Sequence, residues 1–370
     1  MKLLLTGGGT AGHVNPAIAI AEIFKTNQPD AQIAFAGTEH GIERRLVSQA
    51  GYPFFPIKAM GISRSLSLKN VRALYLAIRS PRDAANLLRT FQPDLVIGTG
   101  GYVSWPILSA AARLGIACAI HESNAVPGLT VRRLASHVDI VLLNFEKAAE
   151  SLPKKTTTVR VGNPLRTGFA QVTRAEARKR LGVPKNVHLV LSFGGSLGAE
   201  GINTAVLQLL EKYTLGAPDV WHIHGCGIRY YESFTKTVEE KLGTLPGRIK
   251  ISAYLDRMPE LMAAADLLIC RAGAVTISEV ARAGRAAILI PSPNVAGDHQ
   301  TKNAQALANE HAALLLHEKE IESKLSPLVS NLLSTPDLLR RTEVAVKNFD
   351  VPDANKRIYR ELLKLMKNNQ

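Results

Sequence analysis

Glycine-rich segments with polar neighbours are the first candidates for chemistry in this chain. Gly7, Gly9 and Gly12 have the G-x-G-x-x-G spacing, and His13 follows directly. Glycines let a backbone approach an anion closely, and the amino end of a following helix favours negative charge. Taken alone, the spacing favours a dinucleotide-binding enzyme with Glu39 as the ribose carboxylate, or a tight turn without a ligand. His13 could act as a general base or only close the turn.

Four later segments also combine small residues with polar ones: 98–104, 194–199, 271–279 and 298–300. The second lacks the Lys of a P-loop, so backbone N–H groups and the Ser196 hydroxyl would meet a phosphate there. Glu279 suits two ribose hydroxyls that each donate a hydrogen bond, or it complements a helix dipole. Gln300 offers a donor and an acceptor to sugar hydroxyls, and Asp298 is expected to cap the helix that follows.

The segment His121-Glu122-Ser123-Asn124 follows a predicted strand at 117–120. Polar side chains at a strand end are typical of a site, although a structural His–Glu pair is the alternative. The zinc motif H-E-x-x-H is absent from this segment, and Asp-x-Asp occurs nowhere in the chain. We therefore predict no metal and no cofactor. A diphosphate would be held by helix termini, backbone amides and Arg.

Short apolar strands alternate with helices along the chain, which predicts an α/β fold with parallel sheets covered on both faces. The predicted strands are 2–5, 32–36, 95–98, 117–120, 140–143, 187–193, 220–223, 249–252, 267–270 and 287–290; the predicted helices include 15–25, 39–50 and 174–181. The pattern restarts at 187, so we predict two Rossmann-like domains, 1–164 and 165–349, with a helix within 350–370 that packs back on the first. Ligands of such sheets bind beyond the carboxyl ends of the strands, where the segments above lie.

The chain has 370 residues, with 45 Lys and Arg against 31 Asp and Glu, a net charge of +14. That excess favours polyanionic partners, namely phosphorylated substrates, anionic lipid or nucleic acid. No nucleic-acid recognition motif occurs, so nucleic acid is not predicted. Cysteines at 118, 226 and 270 form no paired spacing, which indicates a reducing cytoplasm. No signal peptide or membrane span is predicted, and membrane contact would be peripheral.

Much of the positive charge lies at 58–89, a stretch that contains seven basic residues and one acidic residue, Asp83. They are Lys58, Arg64, Lys69, Arg72, Arg79, Arg82 and Arg89. Within this stretch an apolar stripe with helical spacing is formed by Val71, Leu74, Tyr75 and Ile78. Basic residues beside apolar ones suit an anionic membrane surface, with Leu66 and Leu68 entering the lipid. Alternatively the stripe packs on the sheet and the charges are only solvated.

Taken together and in order, these segments resemble the bacterial MurG-type N-acetylglucosaminyltransferases that make lipid II. The matching stretches run along nearly the whole chain: 7–13 with Pro16, 100–104, 121–124 with 128–130, 162–166, 194–199, 271–279 and 298–303. The ordered set overrides the dehydrogenase interpretation of the first glycines. It implies a GT-B fold, two Rossmann-like domains around a cleft. It also implies inverting transfer of GlcNAc from UDP-GlcNAc to the C4 hydroxyl of MurNAc in lipid I, at the cytoplasmic face of the inner membrane.

The resemblance also assigns residues. The C-terminal domain would hold the nucleotide, with Leu255 beside the uracil, Glu279 on the ribose and Gln300 on the ribose or sugar. The diphosphate would meet Ser196 and the segment Ala274, Val275, Thr276, Ile277 and Ser278. Further donor contacts would come from Thr10, Ala11, Gly12, Asn124 and Arg166, and the acceptor diphosphate would meet the first glycine loops near His13. Ala11 replaces a glycine common in the family, and Trp105 stands where small residues are usual.

His13 is the predicted catalytic base, with Glu122 and His121 as less favoured candidates. Three alternatives remain open at this point: a UDP-GlcNAc 2-epimerase or glycolipid synthase of the same fold, an NAD-dependent oxidoreductase, and a non-catalytic membrane scaffold. The basic and apolar stretch at 58–89 favours a lipid acceptor over the epimerase.

Overall fold

The computed structural model describes residues 1–61, 68–165, 172–195 and 197–368, with the backbone alone at positions 68, 69, 72, 296 and 368. The chain forms two compact units. The first unit comprises Met1–Leu165 and Val351–Gln370, and the second unit comprises Arg166–Asp350.

The first unit contains a seven-stranded parallel sheet in the order β3-β2-β1-β4-β5-β6-β7. Its strands are β1 (Lys2–Thr6), β2 (Gln32–Thr38), β3 (Phe54–Ile57), β4 (Leu95–Gly98), β5 (Cys118–Glu122), β6 (Ile140–Leu143) and β7 (Thr158–Arg160). Its helices up to this point are α1 (Ala11–Asn27), α2 (Ile42–Gln49), α3 (Leu68–Phe91), α4 (Ser104–Arg113) and α5 (Leu129–Leu134), with a 3-10 helix at Glu146–Ser151. The inner strands are continuous apolar runs because helices cover both faces of the sheet.

The second unit contains a six-stranded parallel sheet in the order β10-β9-β8-β11-β12-β13. Its strands are β8 (His188–Phe193), β9 (Val220–Gly225), β10 (Ile249–Ser252), β11 (Leu267–Cys270), β12 (Ala286–Leu289) and β13 (Leu314–Leu315). Its helices are α6 (Arg174–Leu181), α7 (Glu200–Lys212), α8 (Tyr231–Leu242), α9 (Met258–Ala264), α10 (Ala274–Ala283), α11 (His299–Ala308), α12 (Ile321–Ser334) and α13 (Pro336–Lys347), with 3-10 turns at Thr214–Gly216, Ala296–Asp298 and Glu318–Glu320.

Both sheets share the order 3-2-1-4-5-6 in the chain order of their own strands, and the first sheet adds a seventh strand at the end, so the prediction of two Rossmann-like parallel sheets is confirmed. In each sheet the connections reverse direction beside the first strand, between β1 and β4 and between β8 and β11. Ligands of open parallel sheets bind at such switch points, beyond the carboxyl ends of the strands.

The chain returns to the first unit in its last helix, α14 (Ala354–Asn368). Ile358, Leu362 and Met366 are buried in that unit's core. The ring of Tyr359 meets the ring of Phe24 edge to face at 5.1 Å between centroids. Burial of this apolar face fixes the helix on the first sheet's helical layer.

Several helix and strand ends differ from their predicted positions by a few residues, and three of them lie next to predicted site residues. Helix α1 begins at Ala11 rather than 15 and continues through Pro16, which lacks the backbone N–H that would have bonded to the Gly12 carbonyl oxygen. Helix α2 begins at Ile42 rather than 39. Strand β5 continues to Glu122, so His121 and Glu122 belong to the strand and do not follow it.

In the described ranges, no helix is both long enough and apolar enough to cross a membrane.

Candidate functional site

In the first unit, the loops after β1 and β4 meet at the switch point, and His13 lies against both. The Nδ1 atom of His13 is 3.2 Å from the Gly8 carbonyl oxygen and 3.1 Å from the Thr10 hydroxyl. Because a carbonyl can only accept, the contact with Gly8 places the proton on Nδ1 and the lone pair on Nε2. The ring covers Gly100, where a Cβ would lie 2.9 Å from its Cδ2 atom. The structure therefore holds this imidazole in the tautomer that a base acting through Nε2 requires.

The predicted loop contacts Thr10, Ala11 and Gly12 lie at the amino end of α1. Thr10 and Gly12 are exposed, and Ala11 is half-buried. The loop behind them is fixed by the Thr99 hydroxyl, which donates to the His13 carbonyl oxygen at 2.6 Å. A helix amino end that is open to solvent favours an anion.

His121 and Glu122 are structural in this fold. His121 is fully buried, its Nε2 lies 2.9 Å from the Gly162 carbonyl oxygen, and burial lowers its pKa to about 4. Glu122 is also buried, and burial raises its pKa against hydrogen bonds that lower it. Neither group reaches solvent, so the geometry argues against both alternatives to His13 as the base.

Glu122 instead orients Asn124, a predicted donor contact. Glu122 Oε1 accepts both the backbone N–H and the side-chain Nδ2 of Asn124 at 2.9 Å, and its Oε2 accepts the Gly128 N–H at 3.0 Å. The carboxylate thus closes the loop after β5 and fixes the half-buried amide of Asn124.

In the second unit, a cavity of about 820 Å³ opens at the carboxyl edge of the sheet. Its wall includes the loops after β8 and β12 and the Arg271 side chain after β11. Gln300 is the predicted site residue on this wall. Its Oε1 accepts the Ser292 N–H at 2.9 Å, which holds the amide in place beside the cavity.

The loops after β8 and β9 pass each other so closely that only glycine fits at the crossing. A Cβ on Gly227 would collide with the backbone of Gly198, and both residues have positive φ angles, +92° and +79°. Any side chain at either position would force the two loops apart, so glycine is required there.

Helix α10 starts at Ala274, directly after Gly273, and Glu279 is its sixth residue. The first turn carries no acidic residue, and the dipole effect is confined to that turn. The interpretation of Glu279 as a dipole partner is therefore disfavoured. The Glu279 carboxylate adds to burial in raising the pKa of the Cys270 thiol at the end of β11.

Two predicted contacts on α10 have side chains that serve the fold. Ile277 is 1% exposed and packs inward, and the Ser278 hydroxyl donates to the Ala274 carbonyl oxygen at 3.2 Å. Ala274, Val275 and Thr276 are half-buried at the amino end. Any diphosphate contact on α10 would thus use its first turn.

The Leu255 side chain lies against the end of β9, and Asp298 differs from its expected role. The Leu255 side chain is 9% exposed and is buried against Gly225 at the end of β9, while the neighbouring Tyr254 is 40% exposed. Asp298 precedes α11 but makes no side-chain cap, since its backbone is left-handed with φ +54° rather than extended. The capping prediction is wrong.

Arg271 has a structural role that was not predicted from the sequence. Its Nη1 donates to the carbonyl oxygens of Ile290 and Pro291 at 3.2 and 3.1 Å, and its Nη2 pairs with Glu318 at 2.5 Å. The guanidinium therefore joins three loops of the cavity wall. No sequence pattern marks that pairing, because Glu318 is 47 positions away.

Glu43, which was not predicted as a site residue, lies behind the first glycine loop. The side chain is buried, whereas Glu39, chosen from the sequence, is exposed. The available signal was the pair of glycines, Gly37 and Gly41, that flank the β2–α2 connection.

Some predicted residues lie outside the described residues. They are Arg64, Leu66, Arg166 and Ser196, together with the side chains of Leu68, Lys69 and Arg72.

The apolar stripe of α3 is exposed rather than packed on the sheet. Val71, Leu74, Tyr75 and Ile78 are 67%, 56%, 54% and 67% exposed. Arg79 and Arg82 are exposed on the same helix. The sheet-packing alternative is therefore wrong for these four side chains.

Among the residues with described positions, no three His, Cys, Asp or Glu side chains come together as a metal site.

Two parallel-sheet units, each with glycine loops at its switch point, define a glycosyltransferase of the GT-B class. Family models agree: residues 3–143 match the glycosyltransferase family 28 N-terminal domain, and residues 189–358 match its C-terminal domain. The chain is 39% identical to the UDP-N-acetylglucosamine--N-acetylmuramyl-(pentapeptide) pyrophosphoryl-undecaprenol N-acetylglucosamine transferase of Acetivibrio thermocellus, over 100% of this chain and 99% of the relative. It is 40% identical to the protein of the same name from Caldanaerobacter subterraneus subsp. tengcongensis, over 97% and 98%.

A solved structure agrees over the same length. The crystal structure of Acinetobacter baumannii MurG aligns with a TM-score of 0.79 and 28% identity over 98% of this chain and 99% of that one. The chain belongs to the MurG-type family of N-acetylglucosamine transferases.

Proposed function

We propose that this protein moves N-acetylglucosamine from UDP-N-acetylglucosamine to the MurNAc C4 hydroxyl of undecaprenyl-diphosphate-linked MurNAc-pentapeptide, lipid I, and so makes lipid II for peptidoglycan. The observation that carries the proposal is the end-to-end similarity to transferases of that name, at 39% identity. The glycine loops at both switch points and the oriented His13 supply the chemistry that such a transfer needs.

Each half of the reaction is assigned to one unit. In the second unit, Glu279 accepts hydrogen bonds from the ribose hydroxyls, and Gln300 contacts the ribose or donor sugar. The diphosphate meets Ser196 and the first turn of α10 (Ala274, Val275 and Thr276), where a helix amino end favours anions. Because the Leu255 side chain is buried, the uracil would meet its backbone and the exposed Tyr254 ring.

In the first unit, the acceptor diphosphate meets the loops after β1 and β4, while Asn124 and residues 10–12 supply further donor contacts. Arg166, which belongs to the second unit, is a further donor contact. His13 Nε2 takes the proton from the acceptor C4 hydroxyl as that oxygen bonds to the anomeric carbon. The bond from this carbon to the diphosphate oxygen breaks, and UDP leaves with the electron pair. Attack opposite the leaving group inverts the anomeric centre, through an oxocarbenium-like transition state.

The exposed stripe on α3 is the proposed membrane contact. Four exposed apolar side chains beside Arg79 and Arg82 suit an anionic lipid surface, and each basic residue near such a surface contributes about 1 kcal/mol. We infer from this contact that the protein binds peripherally to the cytoplasmic face of the membrane that holds the lipid-linked acceptor. It also favours a glycosyl transfer to lipid over epimerisation of the free nucleotide sugar.

The test is transfer of labelled GlcNAc from UDP-GlcNAc to lipid I or a short-chain analogue, with a chelator present and the product extracted into organic solvent. A labelled, β-linked lipid product is expected. Turnover of UDP-GlcNAc without labelled lipid would leave the donor assignment in place and overturn the acceptor, and 2-epimerase activity would then be measured.

A further inference from the structure

Glu43 is a buried carboxylate that binds the first glycine loop from behind. It is the second residue of α2 and is 1% exposed. Its Oε2 accepts the Gly9 N–H at 3.2 Å. Its Oε1 accepts the Thr38 N–H at 3.1 Å and also the Thr38 hydroxyl. A buried carboxylate that accepts several N–H and O–H groups is a strong, well-defined anchor.

Three glycines leave the space that this side chain occupies. A Cβ on Gly8 or Gly37 would lie 2.7 Å from the Glu43 side chain, and one on Gly41 would collide with its carboxylate. The backbone of the β1 and β2 loops is thus shaped around one acidic side chain. A carboxylate that only capped α2 would not need a glycine in the β1–α1 loop.

The Gly9 N–H and the Gly8 carbonyl belong to the same peptide group. Glu43 accepts from its N–H end, and the His13 Nδ1 lies 3.2 Å from its carbonyl oxygen at the other end. The N–H and the C=O of a trans peptide point in opposite directions within one plane. This peptide group therefore links the Glu43 carboxylate on one side to the His13 imidazole on the other. Gly9 has φ +81°, a conformation that side chains other than glycine rarely adopt.

We infer that Glu43 is a positioning residue for His13, acting through the Gly8–Gly9 peptide. The negative charge on the N–H end polarises the peptide and makes the Gly8 oxygen a stronger acceptor. That oxygen then holds the proton on Nδ1 and leaves Nε2 as the basic atom. The arrangement does what a carboxylate bonded directly to a catalytic histidine does, with a peptide group inserted between them. The inference rests on the proposed role of His13.

Other polar and titratable groups also face this peptide. The Tyr102 ring, from the loop after β4, lies against Gly9, and the Thr10 hydroxyl is 3.1 Å from His13 Nδ1. Neither group is a carboxylate. Glu43 is a carboxylate that hydrogen bonds connect to the His13 ring through the Gly8–Gly9 peptide.

The first test is Glu43→Gln in the full-length protein. Its amide keeps the shape but loses the charge, and its NH2 would face a backbone donor. We expect kcat to fall about 10- to 100-fold, by analogy with the loss of the hydrogen-bond partner of a metal-ligating histidine. The dissociation constant of UDP is expected to stay unchanged. The acid limb of kcat/KM should move to lower pH, because a histidine without the carboxylate binds its proton more weakly.

Two further variants separate positioning from folding. Glu43→Asp keeps the charge and is expected to recover part of kcat and of the wild-type pH profile. Asp94→Asn is the matched control, because Asp94 Oδ2 accepts the Lys2 N–H at 2.7 Å at the opposite end of β1. That variant is expected to leave the pH profile unchanged.

The decisive experiment is a double-mutant cycle with His13→Ala. If Glu43 acts through His13, Glu43→Gln will have little further effect in the His13→Ala background. Full additivity, or an unmoved pH profile in Glu43→Gln, would overturn the inference while leaving His13 as the base. Near-normal activity of His13→Ala would instead remove the base assignment, and the inference with it.

Discussion

At the scale of single residues, His13 is distinguished by the backbone that holds it. The glycine spacing placed a histidine at the amino end of a helix after a strand, which the sequence could show. The hydrogen bond from Nδ1 to Gly8, at 3.2 Å, depends on how the loop folds back. The tautomer therefore could not be predicted, although it decides which nitrogen is basic.

His13→Ala is expected to lower kcat by about 100-fold or more, as the loss of a general base typically does. UDP binding should remain near normal, because the proposed nucleotide residues belong to the second unit. Steady-state kinetics with titration of UDP measure both quantities. His40→Ala, which changes an exposed histidine of the same unit, is the control. Activity of His13→Ala within a few-fold of wild type would exclude it as the base.

Glu279 is the proposed ligand of the ribose hydroxyls, so the assignment of the UDP-GlcNAc site to the second unit depends on it. Glu279→Gln should raise the KM for UDP-GlcNAc by roughly 10- to 100-fold, because hydrogen bonds from two ribose hydroxyls to a charged acceptor are weakened. The kcat at saturating donor should change less. Glu239→Gln, on the exposed face of α8, is the matched control. An unchanged KM would remove Glu279 from the nucleotide site.

At the scale of elements, the fully buried strands β4, β6 and β11 are continuous apolar runs, and the sequence predicted them with their observed bounds. The edge strand β10 and helix α6 were also predicted with their observed bounds. The edge strands β3, β7 and β13 were not predicted. Their residues are mostly half-buried, and β3 contains Pro56, so none is a continuous apolar run. Edge strands are recognised by their partners, which a single segment does not reveal.

Helix α3 shows a second limit of predicting structure from hydrophobic periodicity. The spacing of its apolar stripe is the same whether the stripe faces a core or solvent. The two cases are distinguished by how helix α4 packs against α3. Trp105, on α4, donates its indole N–H to the Ala77 carbonyl oxygen of α3 at 2.9 Å. That contact fixes which face of α3 is turned inward and leaves Val71, Leu74 and Ile78 exposed.

Ile78→Ser is expected to weaken binding to vesicles that contain phosphatidylglycerol by about 10- to 100-fold, if the side chain is buried in lipid. Activity toward a short-chain, water-soluble acceptor should be preserved. Vesicle co-sedimentation measures the binding. Val344→Ser removes a comparably exposed side chain, 63% exposed, from α13 of the second unit. If both variants bind vesicles like wild type, α3 is not the membrane contact.

At the scale of the whole molecule, the repeated strand order explains why the sequence revealed so much. Each half starts with a strand, a glycine loop and a helix, and the same connections then place the fourth strand beside the first. Loops far apart in sequence, such as those after β8 and β11, are thus brought together by topology. The partners inside those loops, Arg271 with Glu318 and Glu43 with Gly9, depend on side-chain geometry and were not predictable.

Both units bury neutral histidines, and this gives the molecule a sensitivity to acid. Burial lowers the pKa of His121 and of His224 to about 4. The pKa of His222 is lowered to about 3, first by burial and then by electrostatic repulsion from His224. In the unfolded chain these groups take up protons near pH 6.5. Between pH 6.5 and about 4 the unfolded state therefore binds more protons, and the free energy of unfolding falls as the pH falls.

His222→Gln should make this dependence shallower, by at most about 1.4 kcal/mol per pH unit, since one proton is removed from the linkage. Denaturant unfolding between pH 7 and 4 measures the slope. Glu122 has the opposite effect on this slope, because its raised pKa lets the folded state keep a proton at pH values where the unfolded chain has lost it. Glu122 is present in both the variant and the wild type, so its contribution cancels when their slopes are compared. His137→Gln, at an exposed histidine, should keep the wild-type slope. Equal slopes for His222→Gln and wild type would show that His222 does not contribute to the loss of stability in acid.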